Sequence, residues 1–387
     1  MSARLLRAVA VGVLSLSLNS ASVAASSPST TAPASSAAGT APATTSADDF
    51  PALAYYYIWY DATSWNRAKM DLPLAGKYSS DEQTVMLRQV QMAKAAGLRG
   101  FIVSWKSTEK LNRRLQQLAD IAAANDFKLV VIYQGLDFNR DPLAEARVAS
   151  DLDYFISHFS SQPAFQLFQR PTVVLSGSWA YATDQIQRLG TGRRDKILLL
   201  ASEKNVDGVN RLAGLVDGDA YYWSSVDPDT YPKYQNKLDS MAQAVHDLGG
   251  LWIAPAAPGF DARLIGGTKV VERDNGDTLR RQFASAATSS PDAVGIISWN
   301  EFSENSYIEP SRKYGTTYLD ILSDLLHGGT GQPSDASDGL DSSSPAERGN
   351  GWEQWGALAM LAAVVVGATI LIVKRRRWGS VGGGREP

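Results

Sequence analysis

The stretch DEQTVMLRQVQMAKAAGLRGFIVSW, residues 81–105, decides the fold. Val85, Gln89, Met92 and Ala96 recur at helical spacing, which predicts a helix over Asp81–Ala96 that Gly97 ends. Gly100–Trp105 follows at once, short, apolar and mostly unalternating, as a strand buried on both faces must be. The same alternation runs outward in both directions. Strands are predicted at Leu53–Tyr60, Gly100–Trp105, Lys128–Gln134, Thr172–Ser176, Ile197–Ser202, Ala220–Ser224, Leu251–Pro255 and Val294–Trp299, with helical stretches between them, among them Lys237–Leu248 and Leu279–Ala287. Strands alternating with helices give a parallel sheet. Eight such pairs in this length predict an α/β fold of one (β/α)8 TIM barrel. The competing doubly wound sheet carries a Gly-rich phosphate turn after its first strand, and Tyr60-Asp61-Ala62-Thr63 is not one.

Outside the barrel the composition changes. Arg4 and Arg7, the apolar run Ala8–Leu18 and the small residues Ser22-Val23-Ala24-Ala25 read as an export signal over residues 1–25. Residues 26–48 are almost all Ser, Thr, Ala and Pro and read as a disordered spacer. The globular domain is expected at 49–327, followed by a second flexible spacer at 328–351. Trp355–Val373 is free of charge and, at about 1.5 Å per residue, matches a hydrocarbon core of roughly 30 Å, so a transmembrane helix is expected there. Lys374-Arg375-Arg376-Arg377 opens a basic tail, 374–387, that belongs on the cytoplasmic side, with Trp352, Trp355 and Trp378 at the interfaces. No LPxTG-like motif precedes the apolar run, and the polar tail beyond it disfavours a lipid-anchor signal. The sequence thus predicts a single-pass cell-membrane protein whose globular domain is extracellular.

The 387 residues contain no cysteine and three histidines, His158, His246 and His327, far apart and without metal-ligand spacing. Zinc, haem and thiol chemistry are therefore not expected, and neither is a cofactor. A net charge of −3 gives no support for nucleic-acid binding.

A barrel places its site at the C-terminal ends of its strands. Those ends carry Trp59, Tyr60 and Asp61; Ser104, Trp105 and Lys106; Tyr133 and Gln134; Ser176 and Trp179; Glu203; Tyr222 and Trp223; Pro258 to Asp261; and Trp299, Asn300 and Glu301. Flat rings take the apolar faces of sugars while carboxylates and amides take the hydroxyls, although a strand-end aromatic can equally cap the barrel core. Trp59, Tyr60, Trp105, Tyr133, Gln134, Tyr222, Trp223, Asp261, Trp299, Asn300 and Glu309 are the expected substrate-binding residues, and an oligo- or polysaccharide the expected partner. Residues 298–310, SWNEFSENSYIEP, place three carboxylates beyond the eighth strand. Glycoside cleavage needs a proton donor for the leaving oxygen and a second carboxylate. Glu301 and Glu304 supply both, and their nearness raises one pKa. A merely solvated acidic loop fits the spacing equally well.

The segment resembles the Trp/Phe-Asn-Glu-Trp-x-Glu…Ile-Glu-Pro signature of the endo-α-mannosidase-like glycoside hydrolases, families 99 and 71 and their relatives. Ala54-Tyr55-Tyr56-Tyr57 resembles that family's first strand and Ala95–Trp105 its second; Pro258-Gly259-Phe260-Asp261 and Pro291-Asp292 fit as well. The resemblance runs over most of Tyr55–Leu325. It implies a metal-free (β/α)8 barrel that cuts internal α-linkages with retention. It also implies that Glu301 acts as base on the substrate's own 2-hydroxyl, giving a 1,2-anhydro sugar, with Glu304 as acid and then base. Phe302 replaces the usual Trp, Ser303 a common His, and Gln134 an expected carboxylate, which leaves subsite contacts and linkage open. A surface carbohydrate-binding barrel without catalysis is the alternative, and a scaffold barrel a third reading. Two glutamates facing an open aromatic groove separate the enzyme from the scaffold.

Overall fold

The computed structural model of the protein describes residues 50–329, apart from 68, 138 and 232. The expected export signal, first spacer, transmembrane helix and basic tail lie outside the described residues, as does all but the start of the second spacer. Among the described residues no helix is long and apolar enough to cross a membrane.

Eight parallel strands form one sheet: β1 Ala52–Tyr57, β2 Gly100–Trp105, β3 Lys128–Gln134, β4 Thr172–Ser176, β5 Leu198–Leu200, β6 Gly218–Ala220, β7 Leu251–Ala256 and, after a small antiparallel hairpin of β8 Phe260–Asp261 and β9 Val270–Val271, β10 Ala293–Ile296. Their order is β5-β4-β3-β2-β1-β10-β7-β6. The two end strands meet through the parallel bridge Ala201↔Asp219, so the sheet rolls into the expected (β/α)8 barrel. Its outer ring is α1 Gln83–Ala95, α2 Glu109–Ala124, α3 Glu145–His158, α4 Thr183–Gly190, α5 Val206–Arg211, α6 Tyr234–Asp247, α7 Asp277–Thr288 and α8 Thr317–Leu326.

The α1–β2 unit behaves as its sequence dictates. Gly97 takes φ +96°, and the amide of Leu98 reaches back 3.0 Å to the carbonyl of Ala93, closing α1 with a left-handed cap. Asp81 and Glu82 stay outside the helix, and Asp81 instead pairs with Arg113 and Arg114. Four strands end earlier than expected: β1 at Tyr57 rather than Tyr60, β5 at Leu200 rather than Ser202, β6 at Ala220 rather than Ser224 and β10 at Ile296 rather than Trp299, since regular pairing stops before the apolar run does. β6 starts two residues earlier than expected. Its pairing begins at Gly218↔Leu251, where φ is +153° and a Cβ would stand 2.1 Å from the Leu251 carbonyl oxygen. Only glycine opens that strand.

Two apolar shells follow from the period of two along each strand. Outward residues such as Phe101, Val131 and Trp105 pack against the helices. Inward residues such as Tyr55, Ile102, Ile132, Val174, Leu200 and Ile297 fill the barrel. Burial of each large aliphatic side chain contributes roughly 1.5–3 kcal/mol. The inward rows turn polar at their C-terminal ends: Ile102 gives way to Ser104, Ile132 to Gln134, Val174 to Ser176 and Leu200 to Ser202. That polar layer is the floor of the site.

Candidate active site

Above this floor lies a cleft of about 310 Å³. One wall carries Glu301 and Glu304 from the loop after β10, with Tyr57 at the end of β1, Trp59 just beyond it and Phe260 from the hairpin. The opposite wall comes from β3 to β6 and their loops: Gln134 and Arg140, Trp179, and Tyr222 with Trp223. The hydroxyls of Tyr57 and Tyr222 hydrogen-bond to each other across the floor. Gln134 Nε2 donates to Ser104 Oγ at 2.9 Å.

The loop carrying the glutamates is tied to the barrel by Asn300. Its Oδ1 accepts from the amide of Tyr57 at 2.8 Å, and its Nδ2 donates to the Tyr57 carbonyl at 3.1 Å and to the Tyr78 hydroxyl at 3.2 Å. Glu301 follows directly and is 5 % exposed. Its Oε1 accepts from the amide of Ser303 at 2.9 Å, and Lys69 Nζ donates to Ser303 Oγ at 2.8 Å. Burial raises the Glu301 pKa, while the bonds from Ser303 and the charge of Lys69 pull it back. Glu304 has a different environment. Burial first, then the like charge of Glu301, push its carboxyl up to about 8, against a smaller pull from Arg140. The surroundings of the two carboxyls therefore differ: Glu301 has donors and a cation that offset its burial, and Glu304 keeps its proton near neutral pH.

Of the residues expected from the sequence, the structure brings Trp59, Gln134, Tyr222, Trp223, Glu301 and Glu304 into this cleft. The others stand behind it. Trp105 and Tyr133 have outward parity: Trp105 Nε1 donates to Asn112 on α2 at 3.0 Å, and the Tyr133 hydroxyl donates to Asp151 on α3 at 2.9 Å. Trp299 is fully buried in the outer shell against Phe101. Tyr60 stacks on Trp65 and donates to the Asn300 carbonyl at 2.6 Å. Asp261 is held by Arg263, and its amide donates to the Glu304 carbonyl at 2.7 Å. The Asn300 and Glu309 side chains bond to Tyr57, Tyr78 and Gln89 and lie outside the cleft lining. Glu203, also at a strand end, is buried between Ser178 and Arg211. Strand parity separates these groups, since inward Ser104 and Gln134 neighbour outward Trp105 and Tyr133. Parity also marks Tyr57, two residues beyond inward Tyr55, which the strand-end reading passed over. Arg140 sits on an irregular loop and had no such signal.

The defining pattern of glycosyl hydrolase family 71 matches residues 74–329, most of the chain. The chain belongs to glycosyl hydrolase family 71. The resemblance seen in the signature loop is thereby borne out, and the family 71 protein is a glycosidase. Two solved structures of the family 99 endo-α-mannosidase of Bacteroides thetaiotaomicron share its fold. The one in complex with bis-tris propane is 19 % identical with a TM-score of 0.62, covering 71 % of this chain and 95 % of that one. The other is 18 % identical, also with a TM-score of 0.62, covering 71 % and 96 %. A glycoside hydrolase-like protein is 15 % identical with a TM-score of 0.54, covering 71 % and 94 %. None of the curated proteins compared with the chain matches it.

Glu309 carries a consequence for stability. Gln89 Nε2 donates to its Oε1 at 2.6 Å and the Tyr78 hydroxyl to its Oε2 at 2.9 Å, yet burial pushes its pKa up to about 7. Below the ordinary value of 4.5 the carboxyl is protonated in both folded and unfolded chains; above 7 the fold must hold a buried carboxylate. Between the two the folded state binds more protons, so stability falls as pH rises, by roughly 3 kcal/mol for this group. Burial raises Asp219 in the same direction. The melting temperature is therefore expected to drop between pH 5 and pH 8, and Glu309→Gln to flatten that drop. Equal pH slopes in variant and wild type would rule out Glu309 as the source.

Proposed function

We propose that this family 71 glycosidase cuts internal α-mannosidic linkages with retention, using Glu301 and Glu304 and the substrate's own 2-hydroxyl. The observation that carries the reading is the unequal pair at the head of an aromatic cleft: Glu301, whose burial is partly offset by the Ser303 bonds and Lys69, and Glu304, pushed up to about 8 by burial and the charge of Glu301. Glu301 takes the proton of the 2-hydroxyl, O2 attacks C1, the glycosidic C–O bond breaks, and Glu304 protonates the departing oxygen. The product is a 1,2-anhydro sugar. Water activated by Glu304 then opens it at C1, and Glu301 returns the proton to O2. Two inversions leave the α-configuration unchanged. The acids, the open groove and the likeness to structures named as endo-α-mannosidases support this over a binding barrel without catalysis.

The soluble barrel, residues 49–327, incubated with α-mannan oligosaccharides, is expected to release internal fragments whose first-formed anomer is α by proton NMR. Release of single terminal sugars, or a β-anomer appearing first, overturns the reading.

The export-type pattern over residues 1–25 and the apolar span 355–373 support, as part of the same proposal, an enzyme held at a cell surface. Ending the chain after Gly351 is expected to move active protein from the membrane fraction to the medium. Retention of the shortened chain on membranes, with the export signal cleaved, sinks the anchor.

A further inference from the structure

We infer that Arg273 is a positioning residue for Glu304, acting through the main chain of the loop after β10. The inference rests on the proposed acid role of Glu304. Among the described residues, no hydrogen bond reaches the Glu304 carboxyl, so its aim depends on how its backbone is held. That backbone is held from the excursion between β7 and α7. The Asp261 amide on β8 binds the Glu304 carbonyl at 2.7 Å. Arg273, just after β9, extends one guanidinium nitrogen, Nη2, to the carbonyl of Asn305 at 3.1 Å and to that of Tyr307 at 2.7 Å. Asn305 lies at φ +51°, a left-handed turn of the kind asparagine accommodates, between the two carbonyls that Asp261 and Arg273 hold.

Arg273 is an unusual residue to spend on a loop. It is 4 % exposed and has no carboxylate in ion-pair range among the described residues. Its Nε and Nη1 lack hydrogen-bond partners. Its charge rests on three aromatic faces, Tyr307, Tyr314 and Tyr318, with the guanidinium carbon 4.5, 4.7 and 4.2 Å from the ring centres. A buried cation without a counter-ion is costly, and an apolar side chain of similar volume would fill this cage at less expense to stability. What an apolar side chain cannot do is bind two successive turns of the loop at their carbonyl oxygens. Tyr307 supplies both one of the rings and one of the carbonyls, so cage and clamp are a single unit. The Phe260 ring on the same excursion lines the cleft together with Glu304.

The test compares full-length wild type, Arg273→Met and Arg273→Lys. Arg273→Met keeps the volume and loses the clamp; Arg273→Lys keeps the charge on the rings but not the forked reach. Each is assayed on an α-linked mannan oligosaccharide and on an α-mannobiosyl glycoside with a dinitrophenyl leaving group. A misaimed acid lowers kcat on the oligosaccharide by roughly 10- to 100-fold with KM unchanged, and spares the dinitrophenyl substrate, whose departure needs little protonation. The lysine variant falls between methionine and wild type. A parallel readout needs no turnover: the 13C carboxyl signal of Glu304, assigned by its loss in Glu304→Gln, is expected to move its titration midpoint in both variants. Equal loss on both substrates, an unchanged kcat in either folded variant, or an unmoved Glu304 titration overturns the inference. Wild-type protein inactive on both substrates counts against the proposed activity instead, and the carboxyl titration still decides the role of Arg273.

Discussion

Glu304→Gln is expected to lower turnover on α-linked oligosaccharides by roughly two to four powers of ten, the scale of general acid catalysis. Glutamine keeps the shape and the partly exposed placement of the side chain but has no proton to give. Substrates with an activated leaving group should lose far less in their first step. The pH profile should change as well. With the carboxyl pushed up to about 8, the donor is present below that pH and lost as pH rises through it, which sets the alkaline limb of the wild-type profile. That limb disappears in Glu304→Gln. Because burial and the charge of Glu301 both feed the shift, Glu301→Gln should bring the Glu304 midpoint down. Near-normal turnover of Glu304→Gln on an oligosaccharide would remove Glu304 from the chemistry.

Glu301→Gln should behave differently, with a loss of roughly two to four powers of ten on both classes of substrate, since the 2-hydroxyl must lose its proton whatever the leaving group. Wild-type enzyme should also fail on a 2-deoxy substrate even when its leaving group is activated. Efficient cleavage of the 2-deoxy analogue would sink the neighbouring-hydroxyl mechanism while leaving the two carboxyls as the site. Ligand binding should survive in both variants, because Trp59, Tyr222 and Trp223 remain in place. Titration calorimetry with an unhydrolysed oligosaccharide checks that separation of binding from chemistry.

The alternation of strands and helices was legible because burial on both faces leaves a strand apolar throughout, whereas a helix keeps one polar face. The point at which pairing stops was not, since Ile58 and Ile297 are as apolar as the residues that pair in the sheet. The acid loop was visible through its three carboxylates, but their division was not. Glu309 has the same chemistry as Glu301 and differs only in meeting Gln89 and Tyr78, which come from α1 and the loop before it. No local pattern announces such partners. The aromatic strand ends were read together although parity divides them, and a period-two register started at Tyr55 would have kept Tyr57 and set aside Trp105 and Tyr133. Arg273 lay in a polar loop with nothing to mark it, because its meaning depends on tyrosines more than thirty positions downstream.

The wall of the barrel is uneven. β2 and β3 pair over six positions, from Gly100↔Lys128 to Trp105↔Tyr133, whereas β5 and β6 are three residues each and share the one bridge Ala201↔Asp219, with main-chain bonds from Asp217 to Leu199, from Ala201 to Gly218 and from Ala220 to Ala201 holding the joint. The seam lies on the side that presents Ser202, Tyr222 and Trp223 to the cleft, while the two glutamates follow β10, which pairs with β1 and β7. The ring is therefore closed by its shortest register, under the wall that carries the Tyr222 and Trp223 rings and not under the loop that carries the acids.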